Sequence, residues 1–376
     1  MAIDQTQIIS LFLTPELFKD FTPVEQSQAV TVFREQKILA RMCYRLEAAG
    51  VFDSLDAKTQ RHLLNAKKIA DRQKEQVFNE ARELARVLSN TVGYLIFLKG
   101  AAYSMCSGNL GKGRIYSDID VLVPKKDIKA CEQRLAINGW LGQEISDYDD
   151  KYYRKWAHEI PPMAHGFRGT IIDVHHNIVP IISKASLDID SLLEHKEEIL
   201  PGIFVLSGPA QLVHAAIHLF RNEEYKGSFR DLTDLYLMLE GQDESFGLEA
   251  ISIAEHIGFK HELSLAIRYV HTILSLDIPE TVLASAKSSG ANAFNDFVFS
   301  KVLLPQHKLL AGSATPFKHT LAMIRGHIVK MPLHILIYHL VLKSARGILE
   351  SIFGAHIFTP KDDNPLTATH QKDANK

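Results

Sequence analysis

Between Thr91 and Pro180 the chain gives up helical periodicity for short apolar runs bounded by glycine, and on both sides of that window it reads as helix. No other feature restricts the fold as much. A strand leaves its backbone N–H and C=O groups unpaired unless other strands lie beside it, so strand runs this close together must share one sheet. Tyr94–Leu98 is a continuous apolar run closed by Lys99-Gly100, as in a buried strand stopping at a turn. Asp118-Ile119-Asp120 alternates and then passes into Val121-Leu122-Val123, the pattern of a half-buried strand. Lys126–Ile137 carries Ile128, Cys131 and Leu135 on one helical face and stops at Asn138-Gly139. Thr170–His176 is a further β-rich run, preceded by Gly166 and Gly169. With a helix following the first strand, the order strand, helix, strand, helix, strand predicts an α/β or α+β core built on a sheet.

The flanks set the boundaries. Val24–Ala49 and Ala57–Leu88 contain neither Gly nor Pro and are rich in strong helix formers. In the second of them Ile69, Val77, Ala81, Leu84 and Leu88 recur at helical spacing without a sustained heptad, which predicts a packed helical cap. Beyond Pro180, Leu212, Ala215, Ala216 and Leu219 share one helical face, and Leu232, Leu235, Tyr236 and Leu239 share another. Met331–Leu342 is twelve residues without Asp, Glu, Lys or Arg. That is short of the roughly 18 that cross a bilayer. A buried bundle helix is the expectation there, with an interfacial helix as the alternative. Thr359–Lys376 is polar, lacks an apolar period and is expected to be disordered. The predicted organisation is therefore a helical region over 1–90, an α+β core over 91–206, a helical region over 207–358 and a tail over 359–376.

Charge excludes little but sets priors. Lys and Arg number 42 against 44 Asp and Glu, a net charge of −2, so nucleic acid is a permitted partner that bulk charge does not indicate. Three scattered cysteines, Cys43, Cys106 and Cys131, offer neither a disulfide framework nor zinc spacing. The opening MAIDQTQ has no basic n-region. A cytoplasmic protein with no secretory signal and no transmembrane segment is expected.

The chemistry is concentrated in three carboxylates. Asp118 and Asp120, two apart on a strand, project from one face while Ile119 and Val121 take the other. Adjacent carboxylates repel and lose hydration, and a hard divalent cation such as Mg²⁺ compensates both effects. Asp173, in Ile172-Asp173-Val174-His175, is a charge inside a β-branched run and shares its strand face with His175. If its strand neighbours that of Asp118 and Asp120, the three carboxylates converge, suit two metal ions, and leave Asp173 placed to act as general base. Upstream, the turn Leu98-Lys99-Gly100-Ala101 into a helix start offers backbone N–H groups to phosphate. Gly108, Gly111 and Gly113 read as a flexible loop leading to Arg114, whose guanidinium suits bidentate pairing with a triphosphate.

Leu98-Lys99-Gly100, Arg114-Ile-Tyr-Ser-Asp118-Ile-Asp120-Val-Leu-Val, Gly139-Trp140 and Asp173-Val-His175 together resemble the uncharacterised nucleotidyltransferase family of the DNA polymerase β superfamily. Phe229-Arg-Asp-Leu-Thr-Asp234-Leu resembles its downstream helix, and the resemblance covers roughly Leu98 to Leu239. It implies a mixed sheet flanked by helices, Mg²⁺ (or Mn²⁺), and transfer of a nucleoside monophosphate from a nucleoside triphosphate to an acceptor it does not name. It also implies Asp118, Asp120 and Asp173 as metal ligands and catalytic groups, and Lys99, Gly100, Arg114 and Ser117 as nucleotide contacts. His175, Arg230 and Asp234 are carried as candidate substrate contacts. The turn departs from the wider superfamily in reading Gly100-Ala101 rather than Gly-Ser.

Weaker signals remain. His214 and His218, at i and i+4, suit partial burial beside a core face better than a metal pair lacking a third ligand. His158 and His165 flank Pro161-Pro162 in a segment expected to loop over the site. Two other functions compete: a toxin-like nucleotidyltransferase acting on tRNA or protein, and a non-catalytic nucleotide-binding scaffold, which the Gly-Ala turn favours.

Overall fold

The computed structural model describes residues 3–338 apart from 107, 143–144, 184, 186, 288–292 and 312–315. Its centre is a seven-stranded mixed sheet of β1 (Ile96–Phe97), β2 (Ile119–Leu122), β3 (Trp140–Gly142), β4 (Met163–His165), β5 (Ile171–His175), β6 (Lys196–Leu200) and β7 (Ile203–Leu206), in the order β3-β4-β5-β2-β1-β7-β6. β2 and β5 are parallel neighbours and β1 runs antiparallel to β2, so the three central strands are those read from the sequence. The antiparallel pair β3–β4 and the hairpin β6–β7 complete the two edges.

Helices flank the sheet. Ala57–Leu88 is one 32-residue helix capped by Asp56, whose side chain accepts from the backbone of Lys58 and Thr59. Val77, Ala81, Leu84 and Leu88 are buried on it as expected, but Ile69 is 55% exposed and Ala70 takes the inward position. The run Val24–Ala49 is broken rather than continuous. It forms Pro23–Glu35 and Leu39–Ala48, with Lys37 between them at φ 57°. No Gly or Pro marks that break, so helix propensity alone could not locate it. Gly208–Arg221 and Ser228–Leu239 are buried along most of their length, and a contiguous apolar core joins side chains from Ile3 to Ala322 across all three regions.

No described helix is long and apolar enough to cross a membrane. In the described part of Met331–Leu342, Met331 and Leu336 are buried while Leu333, Ile337 and Tyr338 are largely exposed, so up to Tyr338 the segment buries only part of its apolar surface. The expected tail over 359–376 lies outside the described residues.

Candidate active site

Parallel pairing of β2 with β5 sets Asp120 directly beside Asp173 and Leu122 beside His175. Because strand side chains alternate, Asp120, Asp173 and His175 share one face, and Asp118, just before β2, continues that face at its open end. Ile119, Val121, Ile172 and Val174 are fully buried on the other face. The apolar alternation therefore fixes the register, and the register brings the carboxylates together.

Asp120 is 4% exposed, and its Oδ1 accepts from Lys99 Nζ at 2.6 Å and from His175 Nε2 at 2.9 Å. Burial raises its carboxyl pKa. The Lys99 charge and the His175 hydrogen bond outweigh burial and hold the group well below the usual carboxylate range. Both bonds fall on Oδ1, which leaves Oδ2 for another ligand. Lys99 reaches Asp120 from a left-handed backbone, φ 48°, at the point where β1 turns into the helix Lys99–Met105. That conformation costs about 1 kcal/mol for a non-glycine residue. Burial lowers the Lys99 pKa, but Asp120 more than offsets this and holds the ammonium up at about 12.

Asp173 is in the opposite condition. Its Oδ1 is buried without a hydrogen-bond partner. Burial, then the charges of Asp120, Glu159 and Asp118, push its carboxyl up to about 7. Glu159 arrives on a backbone segment bridged to His175, with its Oε2 3.3 Å from His175 Nδ1. The His158 ring sits 5.2 Å from that of His175. His214 and His218 are held neutral by burial first and then by the charge of Lys99.

Several expectations need correction. Arg114 was read as a triphosphate clamp, but it is 6% exposed and its Nε donates to Asp234 Oδ2 at 2.9 Å. Arg41 Nη2 holds the other oxygen of Asp234 at 2.7 Å, so Asp234, 2% exposed, has no surface to offer an acceptor. Arg230 pairs with Asp231 at 2.6 Å, and the charge of Asp118 is the smallest of the influences on it. The glycine loop is not loose: a Cβ on Gly113, φ 68°, would meet the backbone of Ala40 and Arg41 at 2.4–2.6 Å. Gly100 is likewise a contact point, since a Cβ there would lie 2.9 Å from Tyr116 Cβ. Ala101 is fully buried, and Ser117 is exposed beside Asp118. His158 joins the site, but His165 packs edge-on to Trp140 at 5.2 Å and accepts from the backbone of Phe167 and Arg168. Glu159 was missed. Nothing in its local sequence distinguishes it, and only the bridge to β5 brings it in.

The mixed sheet is flanked by helices and gathers acidic side chains on two adjacent parallel strands, a donor set that suits a divalent cation. Residues 22–275 match the family described as uncharacterised nucleotidyltransferase, about two thirds of the chain, and the chain belongs to that family. The match takes in the helical flanks as well as the sheet. No curated protein matches it.

Proposed function

We propose that this nucleotidyltransferase moves a nucleoside monophosphate from a nucleoside triphosphate to an acceptor hydroxyl or similar group, with Mg²⁺ or Mn²⁺ held by Asp118, Asp120 and Asp173. The observation that carries this reading is the lateral pairing of Asp120 with Asp173, whose Oδ1 is buried without a partner among neighbouring carboxylates. A divalent cation suits that donor set: the oxygens are hard, and negative charge there exceeds the nearby positive charge. When bound, the metal would neutralise charge on the phosphates and activate the attacking acceptor oxygen.

The chain's own residues do the rest. Lys99 holds Asp120 ionised and oriented, and its ammonium is the cation nearest the carboxylates. Arg230 adds positive charge on the side of Asp118, where the leaving pyrophosphate carries its charge. Asp173, beside Asp120 on the neighbouring strand, accepts the proton of the acceptor as the acceptor oxygen bonds to the α-phosphorus. The bond from that phosphorus to the bridging oxygen breaks, and pyrophosphate leaves. Gly100 and Ser117 lie on the segments that border the carboxylates and are the proposed backbone and hydroxyl contacts.

The test uses ATP labelled at the α or the γ phosphate, with Mg²⁺ or Mn²⁺ and a host-cell extract, for wild type and Asp118→Ala. Transfer of α label into a product is expected, falling roughly a thousandfold in the variant as several kcal/mol of metal-supplied stabilisation are lost. Transfer of γ label alone would mean phosphoryl transfer and would sink the proposal. So would an Asp118→Ala variant as active as wild type.

A further inference from the structure

We propose that His158, Glu159 and His175 form a second metal site, for a Zn²⁺-class cation, on the side of His175 away from Asp120. It is separate from the all-oxygen site above and does not depend on that reading. The three side chains each offer one ligand atom, and those atoms lie within 4.8 Å of one another.

Unpartnered ring nitrogens make the case. His175 Nε2 is bonded to Asp120 Oδ1 at 2.9 Å. The ring's other nitrogen, Nδ1, lies on the side of Glu159. It is buried with no hydrogen-bond partner, in a residue 1% exposed. Glu159 Oε2 faces it at 3.3 Å, and no hydrogen bond joins the two. An imidazole nitrogen and a carboxylate oxygen that face each other with no hydrogen bond between them are placed to share a cation. Nδ1 of His158 is also buried without a partner, and its ring is 5.2 Å from that of His175. Each ring thus has an unpartnered nitrogen, and both imidazoles and the carboxylate put a ligand atom within 4.8 Å of one another.

The donor set selects the cation. Two imidazoles and one carboxylate suit Zn²⁺ and its borderline neighbours, whereas Mg²⁺ prefers oxygen. With bonds of about 2.0–2.2 Å, tetrahedral zinc ligands stand roughly 3.4 Å apart. The Glu159–His175 separation already has that length. The backbone is braced for the purpose: Ile160 N donates to Val174 O at 3.0 Å, and His176 N donates to His158 O at 2.8 Å. Asp120 supplies the carboxylate that orients a metal-bound histidine through its far nitrogen. His175 would then connect the two sites, with Asp120 serving one directly and the other through the ring.

The full-length protein, stripped with chelator, is dialysed against Co²⁺ or Zn²⁺ in a large excess of Mg²⁺. Bound metal and the visible Co²⁺ spectrum are then measured. One tightly held equivalent with nitrogen-ligated absorption is expected in wild type and in Asp118→Ala, with affinity falling roughly 10- to 100-fold or more in His158→Ala and Glu159→Gln. Absence of a stoichiometric site overturns the proposal. Undiminished binding in both ligand variants does the same, because the metal then sits among other histidines. Equal loss in Asp118→Ala would assign the metal to the carboxylate site instead. Melting of the metal-free proteins guards against misfolding: the Gln amide can donate to His175 Nδ1, so Glu159→Gln without metal should melt at or above wild type.

Discussion

Two buried aspartates, Asp120 and Asp234, each hold a pair of basic side chains, and they serve opposite ends. Asp234 accepts from Arg41 on one oxygen and Arg114 on the other, with all three side chains at most 6% exposed. Arg41 Nη1 also donates to Thr233 Oγ1 at 2.8 Å and Nη2 to the Leu110 carbonyl at 3.2 Å. Both carboxylate oxygens of Asp234 are matched by guanidinium groups, with Arg41 Nε the one nitrogen of that side chain left without a partner, and the cluster ties the helix Leu39–Ala48, the glycine loop and the helix Ser228–Leu239 into one body. Asp120 takes both its bonds on one oxygen, and the charges of Asp118 and Glu159 act on Lys99 and on Asp173 alike. A matched cluster holds structure together, while an unmatched one keeps charge and lone pairs available for a ligand. Counting aspartates would not separate the two, whereas counting their partners does.

The largest effect should come from the matched cluster. Asp234→Asn leaves two buried guanidinium groups short of a charge and should cost about 3–5 kcal/mol in denaturant unfolding. A loss under 1 kcal/mol would mean water already reaches the arginines and would break the contrast. Gly113→Ala comes next. It forces a Cβ onto the backbone of Ala40 and Arg41 at a positive φ, and about 2–3 kcal/mol is expected from strain and displacement together. An unchanged melting temperature would show the loop to be as free as its glycines suggest.

The smallest effect carries the opposite sign. The carboxyl of Asp173, pushed up to about 7, lies above its ordinary unfolded value, so the native state binds the extra proton between those two pH values. Its contribution to stability is complete at low pH and is lost as pH rises through about 7. Asp173→Asn should therefore match wild type near pH 4 and exceed it at pH 8 by on the order of 1–2 kcal/mol after discounting for partial exposure. Adding Mg²⁺ should raise the melting temperature of wild type at pH 8 and leave the variant unmoved. A variant less stable than wild type in metal-free buffer at pH 8 would show that Asp173 is already compensated.

Periodicity determined much of this protein on its own. The apolar alternation at Asp118–Val123 and Ile171–His175 predicted two strands with their carboxylates on one face, because a strand's side-chain period is two whatever lies beside it. Adjacency was the tertiary decision, and it turned three separate aspartates into one site. Pattern also found the long helix Ala57–Leu88, whose turns satisfy their own hydrogen bonds. It missed the break at Lys37 and the edge pairs, which depend on packing rather than propensity. Partnership was beyond its reach altogether. Arg114 and Asp234 are 120 positions apart, and Arg41 and Asp234 are 193 apart. No local window shows that these charges neutralise one another. Glu159 is the reverse case, ordinary in sequence and decisive in place. Local sequence fixes which way a side chain points, but whether a charge is spent on structure or kept for chemistry depends on what the fold sets opposite it.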